Sequence, residues 1–116
     1  MGRGVLHALI AQFDVYVSPG RHRLTIPYGV DVQSARYAAL ASRLVVPLIV
    51  TVPDRGIDAG LVPDFLIDGR RLFLNPFELQ AVRRALLGDP VASLASDADA
   101  IRLVAAVDAV ITRAYG

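Results

Sequence analysis

The stretch that decides the fold is Leu44-Val-Val-Pro-Leu-Ile-Val-Thr-Val52, where β-branched and apolar residues occupy both faces of an extended chain. Such a run predicts a strand that is buried on both sides. Pro47 interrupts the run and has no backbone N–H. It must therefore lie at a bulge, or at a position whose N–H would have no partner in the ladder.

Two further strands are predicted before this one. Residues Gln12 to Val17 alternate between polar and apolar, which indicates a half-buried strand, and Ser18-Pro19-Gly20 ends it. Residues 24–32 alternate again, and here Pro27 and Gly29 favour an edge strand or a bulge. Ala35 to Ser42 suits one or two helical turns.

A hairpin is predicted after the central strand. Asp68-Gly69 is typical of a type I′ turn, whose two central residues both have positive φ, and the flanks within Phe65–Leu74 are strand-like. Residues Leu79 to Leu87 leave two alternatives open, a helix or a short strand. Gly88-Asp89-Pro90 then interrupts the chain.

A long amphipathic helix is predicted to start at Ser96 or Asp97 and to end near Tyr115-Gly116. Ser96 is a suitable N-cap, and acidic residues in the first turn favour the positive helix start. One stripe of the helix collects its apolar residues, which are Ala100, Leu103, Val104, Val107, Val110, Ile111 and Ala114. About five strands followed by a helix indicate an α+β fold.

Composition points to one domain with an apolar surface to cover. The 116 residues are 54% apolar, which is high for a chain too short to bury a large interior, so we expect a second polypeptide to cover part of it. The net charge of +1 does not predict direct nucleic-acid binding. There is no Cys, which fits a reducing cytoplasm, and no apolar run reaches membrane-spanning length.

No constellation of residues predicts catalysis, a metal site or a cofactor. His7 and His22 are the only imidazoles, and Glu78 is the only glutamate. All twelve basic residues are Arg, and three pairs stand out: Arg21/Arg23, Arg70/Arg71 and Arg83/Arg84. These pairs could form an anion or RNA groove, although solvated faces and turns explain them better.

Several motifs, in this order, resemble the CcdB family of plasmid-addiction toxins. Phe13-Asp-Val-Tyr16 is similar to the opening strand of that family, and Val30-Asp-Val-Gln-Ser34 to its second strand. Arg43-Leu-Val-Val-Pro-Leu48 is similar to its Arg-x-Val-Ile-Pro-Leu strand, which accounts for the buried proline. Leu87-Gly-Asp-Pro-Val-Ala-Ser-Leu94 resembles its Gly-Glu-x-Val-Ala-x-Leu segment.

This resemblance implies a small, mainly β, SH3-like antiparallel barrel with a C-terminal α-helix over residues 12–116. Residues 1–11 are expected to be an extension or the result of a misplaced start codon, and not a targeting signal, because the strand from Gln12 follows their apolar stretch at once. The resemblance further implies a cytoplasmic, homodimeric, non-catalytic toxin of a type II toxin–antitoxin system involved in plasmid maintenance. Such a toxin binds the A subunit of DNA gyrase and traps the enzyme on cleaved DNA, and a cognate CcdA-like antitoxin neutralises it.

The resemblance also suggests which residues contact each partner. Tyr16, Ser34 and Val46 are expected to contact the antitoxin. The dimer seam is expected at Val104, Val107 and Ile111, although core packing explains these three equally well.

The gyrase contact departs from the family pattern at the C-terminus. The gyrase poisons of the family end in Trp-Gly-Ile, whereas this chain has no Trp. Ungapped alignment of the helix puts Val110-Ile111-Thr112 there, and matching from the C-terminus puts Tyr115-Gly116 there. Ile111, Tyr115 and Gly116 are therefore the candidate gyrase contacts. A frayed helix end with a glycine stop is the alternative for the last two.

Two other functions remain open at this stage. A MazF-type ribonuclease toxin shares the barrel fold and would use arginines as charge stabilisers, with Arg23 and Arg70 as candidates. The Pro-Gly-Asp start of that family is missing here. A degenerate module that keeps the fold and the dimer but no longer poisons a target is the third possibility.

Overall fold

A computed structural model describes residues 11–52 and 62–111 of the chain. The described elements are β1 (Asp14–Val17), β2 (Tyr28–Asp31), β3 (Ser42–Ile49), β4 (Asp64–Ile67), β5 (Arg70–Leu74), β6 (Gln80–Arg83), β7 (Ala92–Ser93) and α1 (Asp97–Ile111). The antiparallel strands follow the order β4-β5-β3-β2-β1-β7, and β6 also pairs with β3. The sheet forms a nearly closed barrel with one C-terminal helix, which confirms the predicted α+β barrel.

Strand β3 organises the barrel, as the apolar run predicts. One edge of β3 pairs with β2, while the other edge pairs with β6 at residues 42–45 and with β5 at residues 48–49. Pro47 falls between these two partners, and its carbonyl accepts a hydrogen bond from the Asn75 N–H at 2.9 Å. The proline therefore lies where no neighbouring strand needs its missing N–H, in agreement with the expectation.

Strand β2 is shorter and more central than predicted. Of the edge strand or bulge expected over residues 24–32, the edge strand is wrong, because β2 covers only Tyr28–Asp31 and lies between β1 and β3. Residues before it form a turn, in which the Ile26 N–H donates to the carbonyl of His22 at 2.7 Å. Pro27 precedes the strand, and its carbonyl accepts a hydrogen bond from the Ser18 N–H at 3.0 Å. Gly29 allows a close approach, because a Cβ there would lie 2.6 Å from Val45 Cγ1.

The hairpin prediction is confirmed, and the ambiguous segment is resolved. Asp68 and Gly69 have φ values of 51° and 76°, as a type I′ turn requires. Residues 79–87 contain β6 and a 3₁₀ turn at Arg84–Leu86, so the short-strand alternative is correct. The described residues contain seven strands where about five were expected, because β6 and β7 are short strands that pair at the edges of longer ones.

Helix α1 closes the core on one face of the sheet. The Oγ of Ser96 accepts a hydrogen bond from the Asp99 N–H at 3.3 Å, which confirms the predicted N-cap. Leu103 and Ala106 are fully buried in the cluster that contains Val15, Val30 and Val46. The expected ending at Tyr115-Gly116 lies outside the described residues, as does the expected extension over residues 1–11 apart from Ala11. No helix of the described ranges is both long and apolar enough to span a bilayer.

Candidate functional site: the helix face and its groove

Helix α1 has more apolar surface than the barrel covers. Leu103 is fully buried and Val107 is half-buried, but the exposed fractions of Ile101, Val104 and Ile111 are 69%, 49% and 55%. We call these last three residues the outer helix face. The predicted apolar stripe is therefore divided between the core and solvent, which is typical of a surface that another protein completes.

A groove runs between this helix and the start of β1. Its volume is about 230 Å³, and its walls are Gln12, Phe13, Val32, Leu103, Val104, Val107, Asp108 and Ile111. A second, mostly apolar hollow of about 390 Å³ adjoins it on the outer side of the helix, and Phe13, Val104 and Asp108 line both. Both hollows can accept apolar side chains of a partner, and neither contains the convergent polar groups that a reaction requires.

Phe13 enters both hollows through an unusual backbone conformation. Its φ is 74°, a region that bulky L-residues rarely adopt. Two hydrogen bonds hold it there: its N–H donates to the carbonyl of Asp31 at 2.6 Å, and its carbonyl accepts from the Leu94 N–H at 2.9 Å. Strain of this kind persists only when the surroundings enforce it, and it is frequent at functional sites. The hydrophobic pattern gave no sign of it, because the alternation alone places Phe13 in regular strand.

A fully buried charged pair lies on the side of the sheet opposite the groove. The carboxylate of Asp31 accepts hydrogen bonds from Arg43 Nε at 2.7 Å and from Arg43 Nη2 at 3.2 Å, and neither side chain is exposed to solvent. Arg43 Nη1 also donates to the Tyr37 carbonyl at 3.0 Å. All three guanidinium nitrogens are therefore satisfied, which a buried charge requires.

This pair belongs to a network that fixes the turn after β2. Gln33 Nε2 donates to the same Tyr37 carbonyl at 3.0 Å, and Gln33 Oε1 accepts from the Leu44 N–H at 3.0 Å. The Oγ of Ser34 caps the 3₁₀ turn Ala35–Tyr37 by accepting from the Arg36 N–H at 3.2 Å. The hydrophobic pattern does not predict this network. Its only sign was the presence of Asp31 and Arg43 within apolar strands.

Comparison with known proteins agrees with this architecture. The family model described as CcdB protein matches residues 12–112, which is most of the chain. The chain belongs to the CcdB family. No individual curated protein matches it. The CcdB match covers every element of the described barrel and the helix that carries the groove.

The residues expected to contact a CcdB antitoxin occupy different environments. Ser34 is exposed, whereas Tyr16 is only 1% exposed and Val46 is completely buried. Burial, together with the nearby carboxylates of Asp14 and Asp31, raises the pKa of Tyr16 to about 12. Tyr16 and Val46 therefore shape the barrel that a partner would meet, and contact with an antitoxin at these positions stays a prediction.

The two arginines expected of a ribonuclease lie on different elements. Arg23 Nε donates to the Ser18 carbonyl at 2.9 Å, while Arg70 lies at the tip of the β4–β5 hairpin. His22 lies exposed in the turn before β2. Among the residues the structure describes, no cluster of three or more His, Asp or Glu side chains could hold a metal ion.

Proposed function

We propose that this CcdB-family chain is the toxin of a type II toxin–antitoxin pair, and that it acts by binding the A subunit of DNA gyrase. The observation that carries the proposal is the family match over residues 12–112. The open apolar groove supports a binding function, because it offers contact surface without an assembled set of catalytic groups.

The toxin is proposed to be a homodimer held together by the outer helix face. Val104 and Ile111 are about half exposed, and Val107 lines the groove between them. Contiguous apolar surface of this kind is unfavourable in water, and a two-fold axis beside the helix would bury it against its own copy. Phe13 would then fill part of the same interface.

The gyrase contact is proposed at the C-terminal end of the helix. Ile111 is the last described residue and is 55% exposed in the single chain, so it can contact gyrase only where the proposed dimer leaves it uncovered. Tyr115 and Gly116 lie outside the described residues. Their assignment rests on the resemblance of Tyr115-Gly116 to the Trp-Gly pair of the family, since a tyrosine ring can supply a stacking face in place of Trp.

Neutralisation is proposed to come from a cognate antitoxin that binds the barrel near Ser34. This side chain is exposed at the start of the turn fixed by the buried Asp31–Arg43 pair. Tyr16 and Val46 would contribute by keeping the underlying strands in place. The proposed antitoxin therefore approaches the end of the barrel where β2 and β3 are connected.

A gyrase cleavage assay tests the proposal. Purified gyrase, supercoiled plasmid and the full chain are incubated with ATP, and trapped complexes are then released with detergent and protease. We expect linear DNA to accumulate with the full chain. Its amount should fall sharply when Tyr115 and Gly116 are deleted, and it should disappear when antitoxin is added.

The controls separate gyrase poisoning from the two other functions. Topoisomerase IV replaces gyrase in a parallel reaction, and single-stranded RNA without cofactor replaces the plasmid. The proposal would be contradicted if a folded, dimeric chain failed to produce linear DNA. RNA cleavage would then support the ribonuclease, and inactivity in every reaction would support the degenerate module.

A further inference from the structure

Two short segments meet on the surface next to the buried Asp31–Arg43 pair. Arg84 joins them, since its backbone N–H donates to the Ala41 carbonyl at 2.7 Å and its Nη2 donates to the Ala38 carbonyl. Ser42 and Arg83 are also paired in register between β3 and β6. The turn at residues 34–41 and the segment at residues 83–87 therefore form one continuous surface. Its members, which we call the arginine patch, are Arg36, Tyr37, Leu40, Arg83, Arg84 and Leu86.

The arginine patch is apolar and positively charged at the same time. Tyr37, Leu40 and Leu86 are 53%, 53% and 59% exposed, although all three are large hydrophobic side chains. Residues 32–44 and 79–88 contain no Asp or Glu. The ion pairs of the described residues involve Arg43, Arg71 and Arg102, so the three patch arginines have no carboxylate partner there.

One guanidinium nitrogen in the patch is also buried without an acceptor. Arg84 Nε is inaccessible to solvent and makes no hydrogen bond within the described part of the chain. A buried donor without an acceptor is unfavourable, and a charged one more so. A carboxylate docked on the surface could not reach Nε itself, but it would stabilise the charge of this guanidinium. The patch therefore favours an anionic neighbour.

We propose that the arginine patch docks an acidic segment of the antitoxin that also carries apolar side chains. The identification of the partner as the antitoxin rests on the proposed function. The location rests on charge complementarity: three arginines without an ion pair in the described residues suit carboxylates, and the exposed leucines and tyrosine suit apolar residues between them. Ser34, the exposed residue expected to contact the antitoxin, caps the turn that presents Arg36 and Tyr37.

Two other occupants fit the patch less well. A second copy of the chain would bring six arginines together across a two-fold axis, where like charges repel. The outer helix face has no such obstacle to self-association. RNA would satisfy the arginines but would leave Leu40 and Leu86 without apolar partners, since nucleic-acid sites rely on phosphate contacts and aromatic stacking.

The test compares two variants with the same loss of charge. Arg36→Gln/Arg83→Gln removes two exposed charges from the patch. Arg21→Gln/Arg70→Gln removes two exposed charges elsewhere and is the control. The probe is the full antitoxin encoded beside the toxin gene, and its Kd for each full-length variant is measured by calorimetry at low and high salt, with circular dichroism to confirm folding.

We expect the patch variant to bind the antitoxin at least about tenfold more weakly at low salt, and the control less than about twofold more weakly. Raising the salt concentration should narrow this difference, because it screens the lost attraction. Leu86→Ser should also weaken binding at both salt concentrations.

Three outcomes would overturn the inference. The first is that both charge variants weaken antitoxin binding equally, or that neither variant weakens it. The second is conversion of a dimer to a monomer by Leu86→Ser, which would assign the patch to a second copy. The third is loss of single-stranded RNA binding in the patch variant while antitoxin binding is unchanged. Absence of binding to the wild-type chain would instead contradict the proposed function itself.

Discussion

At the scale of single residues, the most consequential contact is the ion pair between Asp31 and Arg43. Taking two charges out of water is costly, and here the cost is offset by good geometry and by the additional hydrogen bonds to the Tyr37 carbonyl and Gln33 N–H. The pair links β2 to β3 and also holds the turn that presents the arginine patch. Its removal should therefore affect both stability and the shape of that surface.

Asp31→Asn is expected to lower the free energy of unfolding by about 3–5 kcal/mol, because it leaves the charge of Arg43 buried without a counterion. Urea denaturation at one fixed protein concentration measures the change. Asp64→Asn is the matched control, since Asp64 pairs with Arg71 at a partly exposed site and should cost no more than about 1 kcal/mol. Equal losses in the two variants would contradict this account of the pair.

Tyr16 provides a prediction about high pH. Its pKa rises from 10.0 to about 12 on folding, so the unfolded chain loses this proton first as the pH increases. The stability that the protonated phenol contributes is therefore complete below pH 10 and is lost between pH 10 and about 12.

Tyr16→Phe is expected to flatten the decrease in the free energy of unfolding across this alkaline range. Denaturation at a series of pH values measures the slope. Tyr37→Phe, which removes the hydroxyl of a 53% exposed side chain, is the control and should keep the wild-type slope. A Tyr16→Phe slope identical to that of the wild type would show that another group is responsible.

At the scale of elements, the sequence pattern predicted the features that depend on neighbouring residues alone. The hairpin turn follows from Asp68-Gly69, and the helix start follows from the Ser96 cap. The central position of β2 could not be predicted, because Pro27 and Gly29 are residue types typical of edge strands. What decides it is the close packing of Gly29 against Val45, a contact between residues sixteen positions apart.

Gly69→Ala is expected to destabilise the hairpin by about 1–2 kcal/mol. Nothing lies within 4 Å of the added Cβ, so the cost comes entirely from the φ of 76°. Gly88→Ala is the matched control, since it also adds a methyl group in open space but at a position without positive φ. Thermal unfolding should show a lower Tm for the first variant and an equal or higher Tm for the second. The same decrease in both would contradict the turn assignment.

At the scale of the whole molecule, the high apolar content of the chain predicted an exposed apolar surface. The outer helix face is such a surface. Periodicity identified the helical residues but could not divide them between core and solvent, because that division depends on where the barrel lies. The strained Phe13 and the arginine patch were beyond prediction for a similar reason. Each depends on segments far apart in sequence, and the unusual backbone of Phe13 leaves no trace in composition.

The central claim about the molecule is that a second chain covers the outer helix face. Sedimentation equilibrium tests this claim by measuring the mass of the protein in solution. We expect the wild type to have twice the 12.4 kDa mass of one chain, and Val104→Asp to have the mass of a single chain because it would bury charge in the interface. Leu66→Asp, at a 72% exposed residue of β4, is the control and should remain dimeric. A wild type that stays monomeric across the micromolar range, or a Val104→Asp variant that stays dimeric, would contradict the account.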